Sequence, residues 1–414
     1  MSIILFSNYF HKGIILKNLY DIAIIGAGAS GLVAAINLAS KGFSVILIEH
    51  QNRGGKKILA SGNGHCNIGN LNVSAKEYKI RNKELIKELL SNCDSQKIIE
   101  FFNTLGLEII AKADGKLFPK SMQASSVLEL LEAKVKSLNI DTIYNAKELK
   151  VKKGFSLSFN GKSIKSKKVV VATGSIAAPQ LGGSNFGAEL AKEFGHNVIK
   201  PIPALVPLVS KNPICKALNG VKLEVSAKLI VQNKEITSKK EDILFRDYGI
   251  SGLVTLDLSL DATNHIANKK SVYISVDFLS EFSKKDATCY LKKRINKSRN
   301  LPINLWLSGF LHTKLAQFIT KELNLQELSE ARVNSKIIKE LVEILKNYNI
   351  KIDNQREFKY AEVALGGVDS TELNPKTLES KKQKGLYFIG EVLDTAAQRG
   401  GYNFHFAWCS ALRL

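Results

Sequence analysis

The chain has 414 residues, 45% of them hydrophobic, enough for two or three domains with separate buried cores. Its 59 Lys and Arg against 38 Asp and Glu give a formal charge of +21, which favours anionic partners; yet the cations are mostly lysines, spread along the chain with pairs such as Lys152-Lys153, Lys239-Lys240 and Lys269-Lys270, and with no arginine-rich run among aromatics, so no clear nucleic-acid site is expected. Five scattered cysteines (Cys66, Cys93, Cys215, Cys289, Cys409) form no C-x-x-C pair and have no His at ligand spacing, which argues for a reducing cytoplasm, against structural disulfides and against a metal site.

Residues 1–20 hold two short apolar runs broken by His11, Lys12 and Gly13, each far below the roughly 20 residues that span a bilayer. They read as an N-terminal arm, and no membrane partner is expected. The Ile-rich run from Asp21 then predicts a strand buried on both faces of a parallel sheet. It leads into Gly26-Ala27-Gly28-Ala29-Ser30-Gly31, after which Leu32, Ala35, Ile36 and Ala39 recur at helical spacing until Gly42. A second strand, 44–49, ends at Glu49. Strand, glycine loop, helix and strand with a terminal acid form a dinucleotide-binding βαβ unit. Gly26 makes the turn, Gly28 admits the pyrophosphate and Gly31 lets helix and strand approach. The first helical turn (Ala29, Ser30) offers N–H groups to the phosphates, and Glu49 is placed for a ribose. An acid there disfavours a 2′-phosphate, so NADP is not the ligand expected at this site.

Next comes Lys56-Lys57-Ile-Leu-Ala-Ser61-Gly62-Asn63-Gly64-His65-Cys66-Asn67, rich in backbone donors for a planar heterocycle. Helical stripes follow: Leu85 to Leu90, Ile98 to Leu105 and Val127 to Leu138. Short alternating runs between Asp141 and Ser163, with a turn at Asn160-Gly161, predict a small β-meander. Lys168 to Gly174 predicts a buried strand ending in the small-residue turn Ala172-Thr173-Gly174. His196, beside Gly195, reads as a helix C-terminal cap. Val198 to Val209 carries three prolines, and 221–232 and 271–278 alternate as strands. Residues 282–350 are largely helical and Lys-rich. A last strand at 386–389 closes on Gly390, Glu391 and Asp394, and Gly400-Gly401-Tyr402-Asn403 opens a helix.

A late strand that returns to the N-terminal sheet, with an acid able to hold a ribityl chain, is the plan of an FAD site, held without a covalent bond. No second GxGxxG follows a strand, since Gly182 to Gly187 has the wrong spacing. A dedicated NAD(P)H domain is therefore not expected, although NAD(P)H could serve as a transient electron donor.

These blocks, together with Phe118-Pro119-Lys120-Ser121, the 203–208 run PALVPL, Tyr248-Gly249-Ile250-Ser251-Gly252 and Gly366-Gly367-Val368, resemble the BaiN/YhiN-like flavoproteins over residues 20 to 410. That resemblance implies a Rossmann-like α/β FAD domain with a parallel sheet and a β-meander, interrupted by an insert with a β-barrel and a helical part. The FAD domain is placed at 21–197 plus 357–414 and the insert at 198–356. His65 stands where the family usually carries Arg, and Arg246-Asp247 where Thr-His is usual.

The function expected is that of an FAD-dependent oxidoreductase acting on a small metabolite in a cleft between domain and insert. The alternatives are an FAD-dependent tRNA-modifying protein and a flavin-binding protein without turnover. His65 and Tyr402 are the catalytic candidates, with Tyr248 and His405 as further proton partners. Cys66 reads as a small buried residue whose backbone serves the cofactor. Composition does not fix the oligomeric state.

Overall fold

The computed structural model describes residues 16–296 and 299–414. The N-terminal arm lies outside the described residues as far as residue 15, and Leu19 and Tyr20 already belong to the first strand. The chain divides into two compact units, one running up to Pro201 and resuming at Val363–Leu414, the other Ile202–Glu362.

The first unit is built on a seven-stranded sheet: β1 (Leu19–Ile25), β2 (Val45–Ile48), β3 (Asp141–Ile143), β4 (Lys150–Lys152), β5 (Ser156–Phe159), β6 (Lys162–Val171) and β7 (Leu386–Phe388). The order is β3-β2-β1-β6-β5-β4, with β7 also on β6. β6 changes character along its length. Its first half alternates exposed and buried residues and pairs antiparallel with β5 (Lys162↔Phe159). Its second half, Val169 to Val171, is buried and pairs parallel with β1 (Ile25↔Val171) and β7 (Val171↔Phe388). An all-valine end suits a position covered on both faces, and the alternating start suits a half-exposed hairpin. The Asn160-Gly161 turn, with φ of +48° and +72°, joins β5 to β6 as a two-residue hairpin.

One expectation is corrected here: Asp141–Ile143 is not part of the meander but pairs parallel with β2 at the far edge of the sheet (Ile46↔Asp141). It completes a crossover through the helix Ala124–Ser137, and Tyr20 fastens it by donating its hydroxyl to Asp141 (2.7 Å). A three-residue strand carries too little periodicity to reveal its partner.

The helix α1 (Ala29–Ser40) buries Gly31 to Ile36 and Leu38, because it packs against the sheet, the helix Ala124–Ser137 and the C-terminal helix Tyr402–Leu412. Asn37 donates to Ala411 O at the last contact (3.2 Å).

The second unit holds an antiparallel seven-stranded sheet in the order 348–352, 272–277, 222–231, 234–246, 249–251, 208–209 and 354–355. The first and last strands of that path are consecutive pieces on either side of Asp353, so the path returns to its own start. Helices Lys284–Arg294, Ile303–Ser308, Thr313–Glu322 and Ser335–Lys346 form the rest of the core with the helix Leu253–Ala267. Periodicity alone does not single out that last helix. Leu256, Leu258, Leu260 and Ala262 alternate with Asp257, Ser259 and Asp261, which mimics a strand, while Val254, Leu258 and Ala262 bury one helical face.

Candidate dinucleotide site

The three glycines of the first turn differ in the space around them. A Cβ on Gly26 (φ +103°) would stand 2.5 Å from Ala172 O, and one on Gly31 would stand 1.8 Å from Gly26 O. Both are therefore spent on packing inside the turn. A Cβ on Gly28 would meet none of the described residues within 4 Å. The N-terminus of α1 faces open space at that point, with no side-chain cap and no acidic residue in its first turn. Uncapped N–H groups and the positive end of a helix dipole beside an open cradle fit a diphosphate.

Glu49 is fixed next to this turn. Its Oε2 accepts from Ala27 N–H (2.7 Å) and its Oε1 from Gln51 N–H (2.8 Å), with His50 Nδ1 at 2.9 Å. Burial opposes its charge, but the hydrogen bonds from His50, Gln51 and Ala27 outweigh burial and hold the carboxyl below its ordinary value. An ionised acid pinned to the turn can accept from ribose hydroxyls. Gly54 and Gly55, not singled out from sequence, close the far side: Gly55 N–H donates to Ala27 O (2.9 Å), and a Cβ on Gly54 would stand 2.5 Å from the same oxygen. Their signal was the glycine pair in the loop that follows the second strand.

Segments distant in sequence converge on the same turn. Lys57 Nζ reaches Glu391 Oε2 (2.8 Å), and Ser175 Oγ donates to Glu391 Oε1 (2.9 Å). Gly390 packs so closely that a Cβ there would stand 2.5 Å from Ser30 Oγ, and its N–H donates to Ser410 (3.0 Å). Ala172 N–H donates to Ile25 O (2.8 Å), and Thr173 has room only because residue 187 is glycine. A Cβ on Gly174 would meet none of the described residues within 4 Å. Ser175 and Gly187 were not singled out from sequence.

The 56–67 segment forms the helix Lys56–Ala60 and then a turn in which Gly62, Asn63, Gly64 and Cys66 all take positive φ. Cys66 N–H closes it on Ser61 O (3.1 Å) and His65 N–H on Gly62 O (3.1 Å). Lys56 holds Gln51 Oε1 (2.7 Å). The Cys66 side chain is buried, and burial pushes its thiol up to about 12. Beside this turn Asn67 Oδ1 is buried with no hydrogen-bond partner among the described residues, next to Gly401, where a Cβ would stand 2.6 Å away. An orphaned buried acceptor is costly unless a ligand donor satisfies it, so the residues present fit a heterocycle with an N–H.

Other predicted residues carry the frame. Asn403 brackets Ala397, accepting from its N–H (2.8 Å) and donating to its C=O (2.9 Å), and Gly400 O accepts from Asn70 (3.0 Å). Asp394 accepts from Ser370 N–H (3.1 Å) and Arg81 N–H (3.3 Å), and burial pushes its carboxyl up. Of the two late acids, Glu391 is the one tied to Lys57 and Ser175. His65 is exposed, with Nδ1 2.6 Å from Met122 O. A carbonyl partner makes Nδ1 the donor and leaves Nε2 as the basic atom. Tyr402 is buried at the start of its helix, its C=O accepting from Tyr78 (3.0 Å), and burial raises its phenol. His405 is buried in the same helix, 3.3 Å from Cys93 O, and burial lowers it to about 4. Tyr248 lies in the second unit.

His196 closes the end of the helix Phe186–Glu193 through its backbone, its N–H donating to Ala191 O (2.9 Å), while its buried side chain is tied elsewhere, with Nδ1 3.0 Å from Glu372 and Nε2 2.6 Å from Ser380. One further expectation is corrected. Cys93 and Cys409 form a disulfide across 316 residues, their Cα atoms 5.6 Å apart. Among the described residues no group of three or more His, Cys, Asp or Glu could hold a metal ion, and no helix is long and apolar enough to cross a membrane.

Residues 20–413 match the family model described as the HI0933-like protein Rossmann domain. The chain is 31% identical over 395 residues to the ribosomal RNA dihydrouridine synthase of Escherichia coli (strain K12), covering 95% of this chain and 96% of that one. It is 33% identical over 402 residues to the 3-dehydro-bile acid delta(4,6)-reductase of Clostridium scindens, covering 94% and 96%. Among solved structures, 3-ketosteroid delta1-dehydrogenase from Sterolibacterium denitrificans aligns with a TM-score of 0.49 at 11% identity, over 96% of this chain and 100% of that one.

Proposed function

Because the chain belongs to the HI0933-like Rossmann family, whose members include the BaiN/YhiN-like FAD-dependent oxidoreductases, we propose that it reduces a carbon–carbon double bond conjugated to a carbonyl, with the uracil ring of an RNA as substrate. The open cradle at Gly28, bordered by Glu49, is the observation that carries the cofactor half of this reading. What supports the substrate half is a shared chemistry in the names of two near-full-length relatives. Dihydrouridine is uridine with two hydrogens added, and a delta(4,6)-reductase of a 3-dehydro compound saturates bonds conjugated to a ketone.

When bound, FAD supplies two-electron transfer from a donor such as NAD(P)H to the conjugated bond. The N-terminal turn of α1, with Ala29, Ser30 and the Gly28 cradle, holds the pyrophosphate; Glu49 holds the adenosine ribose. Lys57, Glu391 and Ser175 lock the turns at 57, 175 and 390 into one frame. Asn67 Oδ1 would accept from the heterocycle, and the 61–66 turn, Ala172 to Gly174 and Gly400 to Tyr402 would help to hold it. His65 takes a proton from water on Nε2 and delivers it to the carbon beside the carbonyl, its ring steadied by Met122 O.

A formal charge of +21 favours the RNA substrate, since phosphate neutralisation draws such a surface to nucleic acid. The second reading is a small enone metabolite, favoured by the 33% identical bile-acid reductase. Incubating the FAD-loaded protein with NAD(P)H and either a uridine-rich rRNA fragment or a cyclic enone tests both. Mass spectrometry should find a gain of two hydrogens in the RNA, and a product only from the enone would move the assignment to the second reading.

A further inference from the structure

Tyr248 and Arg356 lie in the second unit. Their backbones are fixed to the same short strand, 208–209, and its flanks. Ser210 N–H donates to Tyr248 O (3.0 Å), and Arg356 N–H donates to Pro207 O (3.0 Å). Two sequence blocks that the cofactor does not explain, PALVPL and Tyr248 to Gly252, thus meet at one place, with Leu208 paired to Ile250 on one side and to Gln355 on the other.

The Arg356 guanidinium lies over two rings, 4.4 Å from the centre of Tyr248 and 4.0 Å from that of Tyr360. Tyr360 is 44% exposed, and Lys359 Nζ lies 6.0 Å from its ring centre. Four other arginines, Arg53, Arg81, Arg299 and Arg413, are paired with carboxylates. The Arg356 guanidinium has no ion pair or hydrogen bond to another described residue; its acidic neighbours Asp247 and Glu357 are exposed and form no pair with it. Two aromatic rings hold this cation and leave its N–H fork unspent. A planar, pre-oriented fork suits the bidentate geometry of a phosphate, and an exposed tyrosine ring beside it suits a stacked base.

We infer that Tyr248, Arg356 and Tyr360 form a phosphate clamp that grips the backbone of an RNA strand, with the exposed Tyr360 ring as a base-stacking surface. The inference rests on the RNA reading above and adds to it a contact outside the flavin site.

The test is fluorescence anisotropy of a labelled uridine-rich RNA hairpin with full-length, FAD-loaded protein across a salt series. Arg356→Ala should weaken binding about tenfold and lower the salt slope by about one. Tyr360→Ala should weaken it less, and Tyr360→Phe should bind as wild type. Bound FAD and the thermal midpoint serve as fold controls. Equal affinity and slope for Arg356→Ala and wild type would overturn the clamp and leave the reductase reading standing. Displacement of the hairpin by uridine monophosphate as effectively as by unlabelled RNA, at constant ionic strength, would replace a strand contact by a nucleotide pocket and overturn the inference. Tight, Arg356-dependent binding with no reduced uridine would support the clamp and defeat the reductase reading, so the two failures are distinguishable.

Discussion

Lys57 Nζ stands 2.8 Å from Glu391 Oε2, an ion pair that joins residues 334 positions apart and ties the helix after the first βαβ unit to the turn after the last strand. Both side chains are only partly exposed, and Ser175 shares the carboxylate, so the pair is geometrically constrained. Removing one partner leaves the other poorly satisfied in a low-dielectric setting. Glu391→Gln and Lys57→Met should each weaken FAD retention about tenfold, measured by flavin fluorescence on dilution. Retention equal to wild type in both would show that the pair does not support the cofactor.

Gly28 and Gly31 make a contrasting pair. Gly28→Val should give a soluble protein with the thermal midpoint of flavin-stripped wild type but little bound FAD, because a Cβ there has no described residue within 4 Å and the new side chain enters the cradle. Gly31→Val should fail to fold, since its Cβ collides with the Gly26 carbonyl. Stoichiometric FAD in purified Gly28→Val would refute the placement of the pyrophosphate.

The disulfide predicts a thiol count. Denatured, unreduced protein should be alkylated at three cysteines, Cys66, Cys215 and Cys289, and at all five after reduction. Cys409→Ser should lose about 2–4 kcal/mol of stability by urea titration under oxidising conditions. Five labelled cysteines without reductant would show that Cys93 and Cys409 are thiols in the isolated protein.

His405 gives a pH dependence with a definite sign. Burial lowers it in the folded chain to about 4 from an ordinary value near 6.5. Between those values the unfolded chain binds the proton and the folded chain does not, so stability is lost as pH falls through that window, by about 3 kcal/mol in all. His405→Gln should flatten urea midpoints measured between pH 7 and pH 4. A wild-type midpoint that holds steady over the same range would contradict this.

What could be read from sequence was what is local. The strand–glycine–helix–strand unit ends in an acid within 31 residues, counting from Leu19 to Glu49, and its continuous apolar strands and helical period of 3.6 are imposed by burial on consecutive residues. The left-handed turn at Gly62 to Cys66 was likewise visible as a glycine- and amide-rich block. Partners chosen by tertiary packing were not. Glu391 was distinguishable from Asp394 only once Lys57 and Ser175 stood beside it. Cys93 and Cys409, 316 residues apart, carry no mutual signal along the chain. Leu253–Ala267 shows a period that fits both strand and helix, and only its neighbours decide.

The central claim is that a flavin held at the Gly28 cradle passes reducing equivalents to a conjugated carbon–carbon bond. The direct measurement is anaerobic stopped-flow absorbance of the protein's reduced FAD mixed with uridine-rich RNA, with a cyclic enone, and with the saturated analogue of each. Oxidised flavin absorbance should return with the RNA, more slowly with the enone, and with neither saturated analogue. Flavin that stays reduced with both unsaturated compounds, yet reoxidises in air, would contradict it.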